Sequence, residues 1–528
     1  MALRNSFIFL SSLFLMSVIS PLCSGATMDV SAFGAKGDGR TDDTAAIQNA
    51  INSIPSGSTL TFGTGNKIYL ISSRLVFQPG RTYQGQGTLL MNSHTAVHTA
   101  IAKIAYNAAN NITITGLTFD SNGVGGGIQI AVDGGGSIPA TNIQITHNVF
   151  RNTLASPTGP WDGAIYSPVG LQNSQIVSNL FTKCGTGVYL LDPGSVVVSD
   201  NVFQTIHQGD AIDIIFAPAP FAYGQGLQIL RNTGQHLGSM AIELWPSGGN
   251  VAQSSQVQGA VIANNAFSDW DAGYSGNPTG ISVMAGQQMS VTNNVLLNGV
   301  AGMGIEIGAA QSLIQQNTIQ NFQSGIVMQD SQGTTVSGNL LSLQTVAGIE
   351  LTNAGGSRHG LAITGNHIIN AQTFGIYSNT PSWGSSTVSG NSIVRLGGQF
   401  SADSNQQFTG IAVTPPDMPV TVTGNTITQS NVQPPPAGFS FVGIHVNGNS
   451  GDNYSSVYTA NTISSLYQLA QTVGILGNSA GSLTGTTVQN NNFEGLNAVT
   501  GGAPSSGIAS GGNVVYNCVQ LGPIVFSN

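Results

Sequence analysis

Only four of the chain's 528 residues are glutamate, and three of them recur at the same place in one repeated phrase. The phrase reads Ala241-Ile-Glu243-Leu, Gly304-Ile-Glu306-Ile and Gly348-Ile-Glu350-Leu, and Asp213 takes the same place in Ala211-Ile-Asp213-Ile, three residues after Asp210. Paired carboxyls suit general acid and base chemistry, in which one stays protonated near neutral pH while its neighbour is ionised. Glycosidic hydrolysis needs two of them, ~5 Å apart for retention or ~6.5–9.5 Å apart for inversion. At a strand spacing of ~4.8 Å, Asp213 and Glu243 on adjacent coils fit the first range, while Glu243 and Glu306, two coils apart at ~9.6 Å, reach the edge of the second. The assignment expected from this is Glu243 as general acid and Asp213 as nucleophile or base, with Asp210 or Glu306 assisting. Around them stand His207, His236, Trp245, Trp270, Asp271 and Tyr189. Sugars stack their apolar faces on aromatic rings while carboxylates and amides take the hydroxyls, so Trp245, Trp270, Tyr189 and Trp161 are candidate subsite walls. Each indole could instead pack a turn, and each histidine could be a corner residue satisfied by backbone.

Those residues meet only if the chain stacks in phase. From about Asn111 onward a second phrase, apolar-x-apolar-x-x-Asn-x-apolar, alternates with the first; its Asn recurs at 148, 179, 201, 232, 265, 294, 317, 339, 366, 391, 425, 461 and 491, at intervals of 22 to 36 residues. Apolar residues at period two mean strands with one buried face, and repeats of this length between Gly and Asn turns mean coils of a solenoid. A propeller needs ~40 or more residues per blade. The residue between the two apolar positions of the Gly-Ile phrase then points outward, giving one ladder of Gln129, Tyr166, Tyr189, Asp213, Glu243, Ser282, Glu306, Val327, Glu350, Tyr377, Ala412, His445 and Leu476. Stacked like charges repel, so the alignment gains no stability and should raise at least one carboxyl pKa. The expected fold class is all-β, a right-handed single-stranded parallel β-helix with a short N-terminal capping helix.

Composition agrees. Charged residues make up 6% of the chain and glycines number 70, which excludes a helical bundle and a disordered acidic tract. Arg4, the apolar run from Phe7 to Ile19, Pro21 and Ser24-Gly25-Ala26 read as a secretory signal peptide over residues 1–26, and no later stretch offers ~20 continuous apolar residues, so an exported protein outside the membrane is expected. Loss of Arg4 would leave 11 basic against 21 acidic residues, a formal charge of −10, a poor surface for nucleic acid. Cys184 and Cys518 are too far apart to suggest a disulfide scaffold, and neither a phosphate-binding loop nor a zinc ribbon is present.

The stretch Asp29-Val-Ser-Ala-Phe33-Gly34-Ala-Lys-Gly37-Asp38-Gly39-Arg-Thr41-Asp42-Asp43, running on to Ile47 and Ile51, resembles the opening motif of the pectate lyase superfamily. Thr41 or Asp42 would cap a short helix whose Ile47 and Ile51 plug the open end of the solenoid, so residues 27–57 are read as motif and capping helix and 58–528 as β-helix. The resemblance implies carbohydrate-directed activity without selecting a reaction, since the superfamily includes lyases, hydrolases, epimerases and phage tailspikes. Gly209-Asp210-Ala-Ile-Asp213-Ile, followed a coil later by His236-Leu-Gly-Ser, is similar to the acid-bearing coils of polygalacturonase-type glycoside hydrolases, although the Asn-Thr-Asp, Asp-Asp and Arg-x-Lys elements are missing. It implies only that Asp210, Asp213 and His236 lie on the working face.

Three functions remain open on this reading. The first is a hydrolase of a neutral or weakly charged polysaccharide, without metal or cofactor. The second is a lyase or epimerase on a uronate polymer, in which Asp210, Asp213 and Glu243 hold Ca²⁺. The third is a glycan-binding surface protein without catalysis.

Overall fold

The computed structural model describes residues 25–105, 109–132, 139–155, 162–216, 225–246, 258–270, 278–329, 331–352, 359–378, 384–396, 407–414, 419–430, 439–446, 455–466, 472–477, 485–501, 509–516 and 518–519. The stretch expected to be the leader, up to residue 24, lies outside them, as do Trp161 and Asp271. No helix among the described residues is long and apolar enough to cross a membrane.

The chain winds as a right-handed parallel β-helix, each regular coil giving one strand to each of three parallel sheets of 18, 18 and 16 strands. The first sheet starts at Thr27–Asp29, the second at Asp38–Asp42 and the third at Leu75–Phe77. The second is an open ladder, since Asp38–Asp42 pairs onward with Ile68–Ile71 and the last strand, Val514–Tyr516, pairs back with Asn492–Glu494. The opening motif is therefore already the first coil: Thr27–Asp29 pairs with Thr59–Phe62, which moves the start of the β-helix from the expected 58 back to 27. In that coil the helix Thr44–Ser53 stands where a third-sheet strand would run, with Ile47 and Ile51 fully buried. Its N-cap residue is Asp43, not Thr41 or Asp42. The Asp43 carboxylate accepts from the backbone N–H groups of Lys36 and Gly37, while Asp42 accepts from Thr44 N–H at 3.0 Å.

Two columns hold the coils in phase. Phe119, Phe150, Phe181 and Phe203 stack inside the second sheet with centroids 5.0, 5.2 and 4.7 Å apart. At the corner between the first and second sheets, the recurring Asn forms a continuous buried amide ladder that extends to Asn513. Asn317 shows the pattern: its Oδ1 accepts from the N–H and Nδ2 of Asn294 at 2.9 and 3.0 Å, and its Nδ2 donates to Val291 O and Asn339 Oδ1 at 2.9 and 3.0 Å. The coil is narrow at the first place of the Gly-Ile phrase, where only Gly or Ala stands beside the trio; a Cβ on Gly410 would lie 2.3 Å from the Ile427 Cγ2. Replacing Asn317 by alanine strands the buried Asn294 N–H and halves the contacts of its neighbours. We expect a loss of about 2–4 kcal/mol, read as a lower urea midpoint with faster amide exchange at Asn294; an unchanged midpoint would mean that this rung contributes nothing.

Candidate functional site

The expected ladder is present in the third sheet, each of its thirteen residues pairing with the next from Gln129 to Leu476. In the strands Ile212–Phe216 and Ile242–Pro246 the flanking Ile212, Ile214, Ile242 and Leu244 are fully buried, so alternation turns Asp213 and Glu243 to the outer face. Asp210 reaches the same place from the corner that precedes the first of these strands. One carboxyl oxygen from each of Asp210, Asp213 and Glu243 lies within 4.8 Å of the other two.

Three carboxyls this close cannot all be ionised. Burial pushes Glu243 up to about 9, and the charges of Asp210 and Asp213 add to the shift. Burial, and then Asp210, also raise Asp213, one of whose oxygens is buried without a hydrogen-bond partner. Asp210 is raised by burial but is the best supported of the three: Met240 N–H donates to its Oδ1 at 2.7 Å, and the Ser239 side chain is hydrogen-bonded to it. Asp210 and Glu243 are hydrogen-bonded to each other, which requires a proton between them. The influences on the trio are burial, one another, Ser239, Met240 and Glu306; no cationic side chain is among them.

The remaining candidates divide. Tyr189 is the rung before Asp213, leans on Tyr166 with centroids 5.3 Å apart, and is kept protonated by burial and by the charge of Asp213. Trp245 lies two residues past Glu243 on the same face and is 37% exposed, so its ring is open to a ligand. His207 is exposed at the corner ahead of Asp210, its N–H bonded to Cys184 O at 2.8 Å. Glu306 is separated from Glu243 by Ser282, whose hydroxyl donates to Glu306 Oε2 at 2.8 Å, while Gln329 donates to Oε1; it is buried and raised by that burial. It sits two rungs from Glu243, outside the trio.

Two expectations are corrected. His236 belongs to the second sheet, where it is exposed in a left-handed bulge at φ 57°, and its electrostatic partner is Asp269. Trp270 offers no open ring: it is 8% exposed, packs edge-on against Phe322 at 5.4 Å, and donates from Nε1 to Ser239 O at 2.7 Å. A bulge accounts for the burial of Trp270. His236 and Asp269 are extra residues in the second-sheet register, which pairs Gln235 with Ser268 and then Leu237 with Trp270, so the alternation reverses after them and Trp270 turns inward. Ser239 and Gln329 were not singled out. Gln329 stood two places beyond Val327, in a second outward row that strict alternation would have shown.

Two family models match: one described as a right-handed beta helix region, over residues 247–427, and one described as rhamnogalacturonase A/epimerase, pectate lyase-like, over residues 27–97. A capsule K30/K69-specific depolymerase of Klebsiella phage K64-1 is 36% identical over 101 residues, 17% of this chain and only 13% of the relative's length. Among solved structures, the catalytic unit of the GH87 α-1,3-glucanase from Streptomyces thermodiastaticus aligns at 13% identity and a TM-score of 0.44, covering 81% of this chain and 68% of that one. Tailspike protein 3 of bacteriophage CBA120 aligns at 11% identity and a TM-score of 0.43, covering 93% of this chain and 61% of its own. Three continuous parallel sheets, with family matches at the opening coils and in the middle of the solenoid, support a pectate lyase-like right-handed β-helix.

Proposed function

We propose that this protein is an exported polysaccharide-active enzyme, and that its reaction is glycoside hydrolysis by the carboxyl trio. The observation that carries the reading is three carboxyl oxygens within 4.8 Å of one another, with burial holding Glu243 protonated up to about 9 and no cationic side chain among the influences on the trio. In this reading Glu243 gives its proton to the departing sugar oxygen. Asp213 attacks the anomeric carbon or activates water, and Asp210 carries the proton between cycles through its hydrogen bond to Glu243. Trp245 supplies a stacking face and the Tyr189 hydroxyl a donor beside Asp213. The surroundings suit a neutral or weakly charged glycan, because a polyuronate would meet three carboxyls with no cationic side chain among the influences on them. The short match to a capsule depolymerase is consistent with a glycan substrate.

A lyase or epimerase stands second, supported by the donor type: three carboxylate oxygens at this separation suit one Ca²⁺, which takes oxygen ligands at about 2.3–2.6 Å. The ion would neutralise a substrate carboxylate. The base would then have to come from His207 or Tyr189, the latter held strongly protonated.

A panel of plant, algal and bacterial polysaccharides, scored together for reducing ends and for ultraviolet absorbance of unsaturated products with and without chelator, separates the readings. We expect new reducing ends that ignore chelator, and a loss of about 100-fold or more in Glu243→Gln with folding intact. Chelator-sensitive absorbance would establish the lyase; glycan binding without turnover would leave a binding protein.

The protonated Glu243 also leaves a mark on stability that needs no substrate. Its folded pKa of about 9 lies above the ordinary 4.5, so the stability it contributes is complete below that ordinary value and is lost as pH rises toward 9. Unfolding free energy should therefore fall across this window, by at most about 1.4 kcal/mol per pH unit for one proton. Glu243→Gln, which stays neutral, should flatten the fall; equal slopes in the two proteins would show that Glu243 is ionised in the folded chain.

A further inference from the structure

The side chain that the sequence offered as a sugar platform has another task. Trp270 lies at the end of the second-sheet strand Ala266–Trp270, one coil beyond the turn Gly238-Ser239-Met240 that leads into the strand bearing Glu243. Its ring is buried edge-on against Phe322, and its one polar atom, Nε1, donates to Ser239 O at 2.7 Å. Ser239 and Met240 are the two residues that hold Asp210, one through its side chain and one through its backbone N–H at 2.7 Å. The turn is tight: a Cβ on Gly238 would lie 2.4 Å from His207 O, so its path over the preceding coil is constrained from below as well.

We infer that Trp270 is a positioning residue, whose indole N–H pins the Ser239–Met240 turn from the next coil so that the turn's two donors stay aimed at the Asp210 carboxyl. The inference rests on the reading of Asp210 as part of the reacting centre. A turn of Gly, Ser and Met has little side-chain packing of its own to fix it, and a donor displaced by a fraction of an ångström loses most of its hold on a buried carboxyl. The indole supplies a rigid anchor because it is buried at the end of a paired strand of its own and so is held independently of the turn. The titratable groups facing Asp210 are Asp213 on its own coil and Glu243 on the next, with Glu306 acting on Glu243, Tyr189 beside Asp213, and His207 earlier in the same segment. None of these can replace the backbone N–H of Met240, which is why the turn needs an external support.

The test uses the full chain without substrate. Trp270→Phe keeps an aromatic ring against Phe322 and removes only the donor; Phe322→Leu removes the ring contact and keeps the donor. Hydrogen exchange is followed at the Met240 amide, and the infrared band of the protonated carboxyls, identified by its change in Glu243→Gln, reports on the trio. In the wild-type chain the Met240 amide should exchange as slowly as the amides of the following strand. In Trp270→Phe it should exchange at least about 10-fold faster, while Ile242 to Leu244 stay protected, and the carboxyl band should move upward as its hydrogen bonds weaken. Phe322→Leu should leave both readings near wild type. Equal acceleration in the two variants would reduce Trp270 to packing, and an unchanged carboxyl band in Trp270→Phe would sever it from Asp210; either overturns the inference. A wild-type Met240 amide that exchanges like an open turn would do so alone, whether or not the variants fold. Neither reading depends on turnover, so a chain that shows the Met240 effect yet cleaves no polysaccharide would keep the positioning role and lose the hydrolase.

Discussion

One buried amide per coil keeps this molecule in register. The Asn at the corner between the first and second sheets donates to a backbone carbonyl and to the next Asn, and accepts from the backbone and side chain of the one before, from Asn148 to Asn513. An amide is the group for this position because it has two donors and an acceptor with two lone pairs in one plane, enough to satisfy a corner that no strand can close. A slip of one residue would leave several buried groups unpaired at each rung, at about 1–3 kcal/mol apiece, so the stack has one phase. That phase is what lets residues 30 apart in the chain, Asp213 and Glu243, become nearest neighbours in space.

The acidic trio works against the economy that the rest of the fold follows. Elsewhere carboxylates are paired with cations and amides: Asp200 is bound bidentately by Arg231, and Asp120 by Arg151 and Asn152. Asp210, Asp213 and Glu243 instead face one another in a buried setting that pushes the pKa of each upward. A chain with 6% charged residues could easily have avoided this. Local disagreement with an otherwise consistent structure is the mark expected of a working site, since a stable solenoid can carry it and a marginal domain cannot.

How much of this could be read from the sequence depended on whether strict alternation held. In the third sheet it does: the Gly-Ile phrase fixes which residue is inside, and so the whole ladder from Gln129 to Leu476 was legible, including the adjacency of Asp213 and Glu243. In the second sheet it fails at one column. Lys183, Thr205, His236 and Asp269 each adopt positive φ as an extra residue, and the register steps over them. Asn, which takes this conformation most readily, stands at 152, 298, 321 and 370 of the same column, but the coils nearest the trio carry a lysine, a threonine, a histidine and an aspartate there, so composition does not betray the bulge where it matters. Trp270 turns inward because of this bulge, whereas His236 was assigned to the working face from the resemblance and stands on the second sheet instead. Asp210 was recoverable from spacing, but its support was not, because the donors come from a turn one coil away whose path depends on that bulge.

The bulge column and the carboxyl trio are therefore parts of one arrangement. Without the extra residue at Asp269, the alternation from Phe267 would turn position 270 toward solvent, and the indole could not reach Ser239 O. Without the extra residue at His236, the same shift would fall on Leu237, which is now buried as the last inward residue before the Gly238-Ser239-Met240 turn. The second sheet thus sets, through one left-handed residue per coil, where the corner begins, and the corner sets how Asp210 is held against Glu243. The carboxyl trio lies on the third sheet, but its geometry is decided on the second.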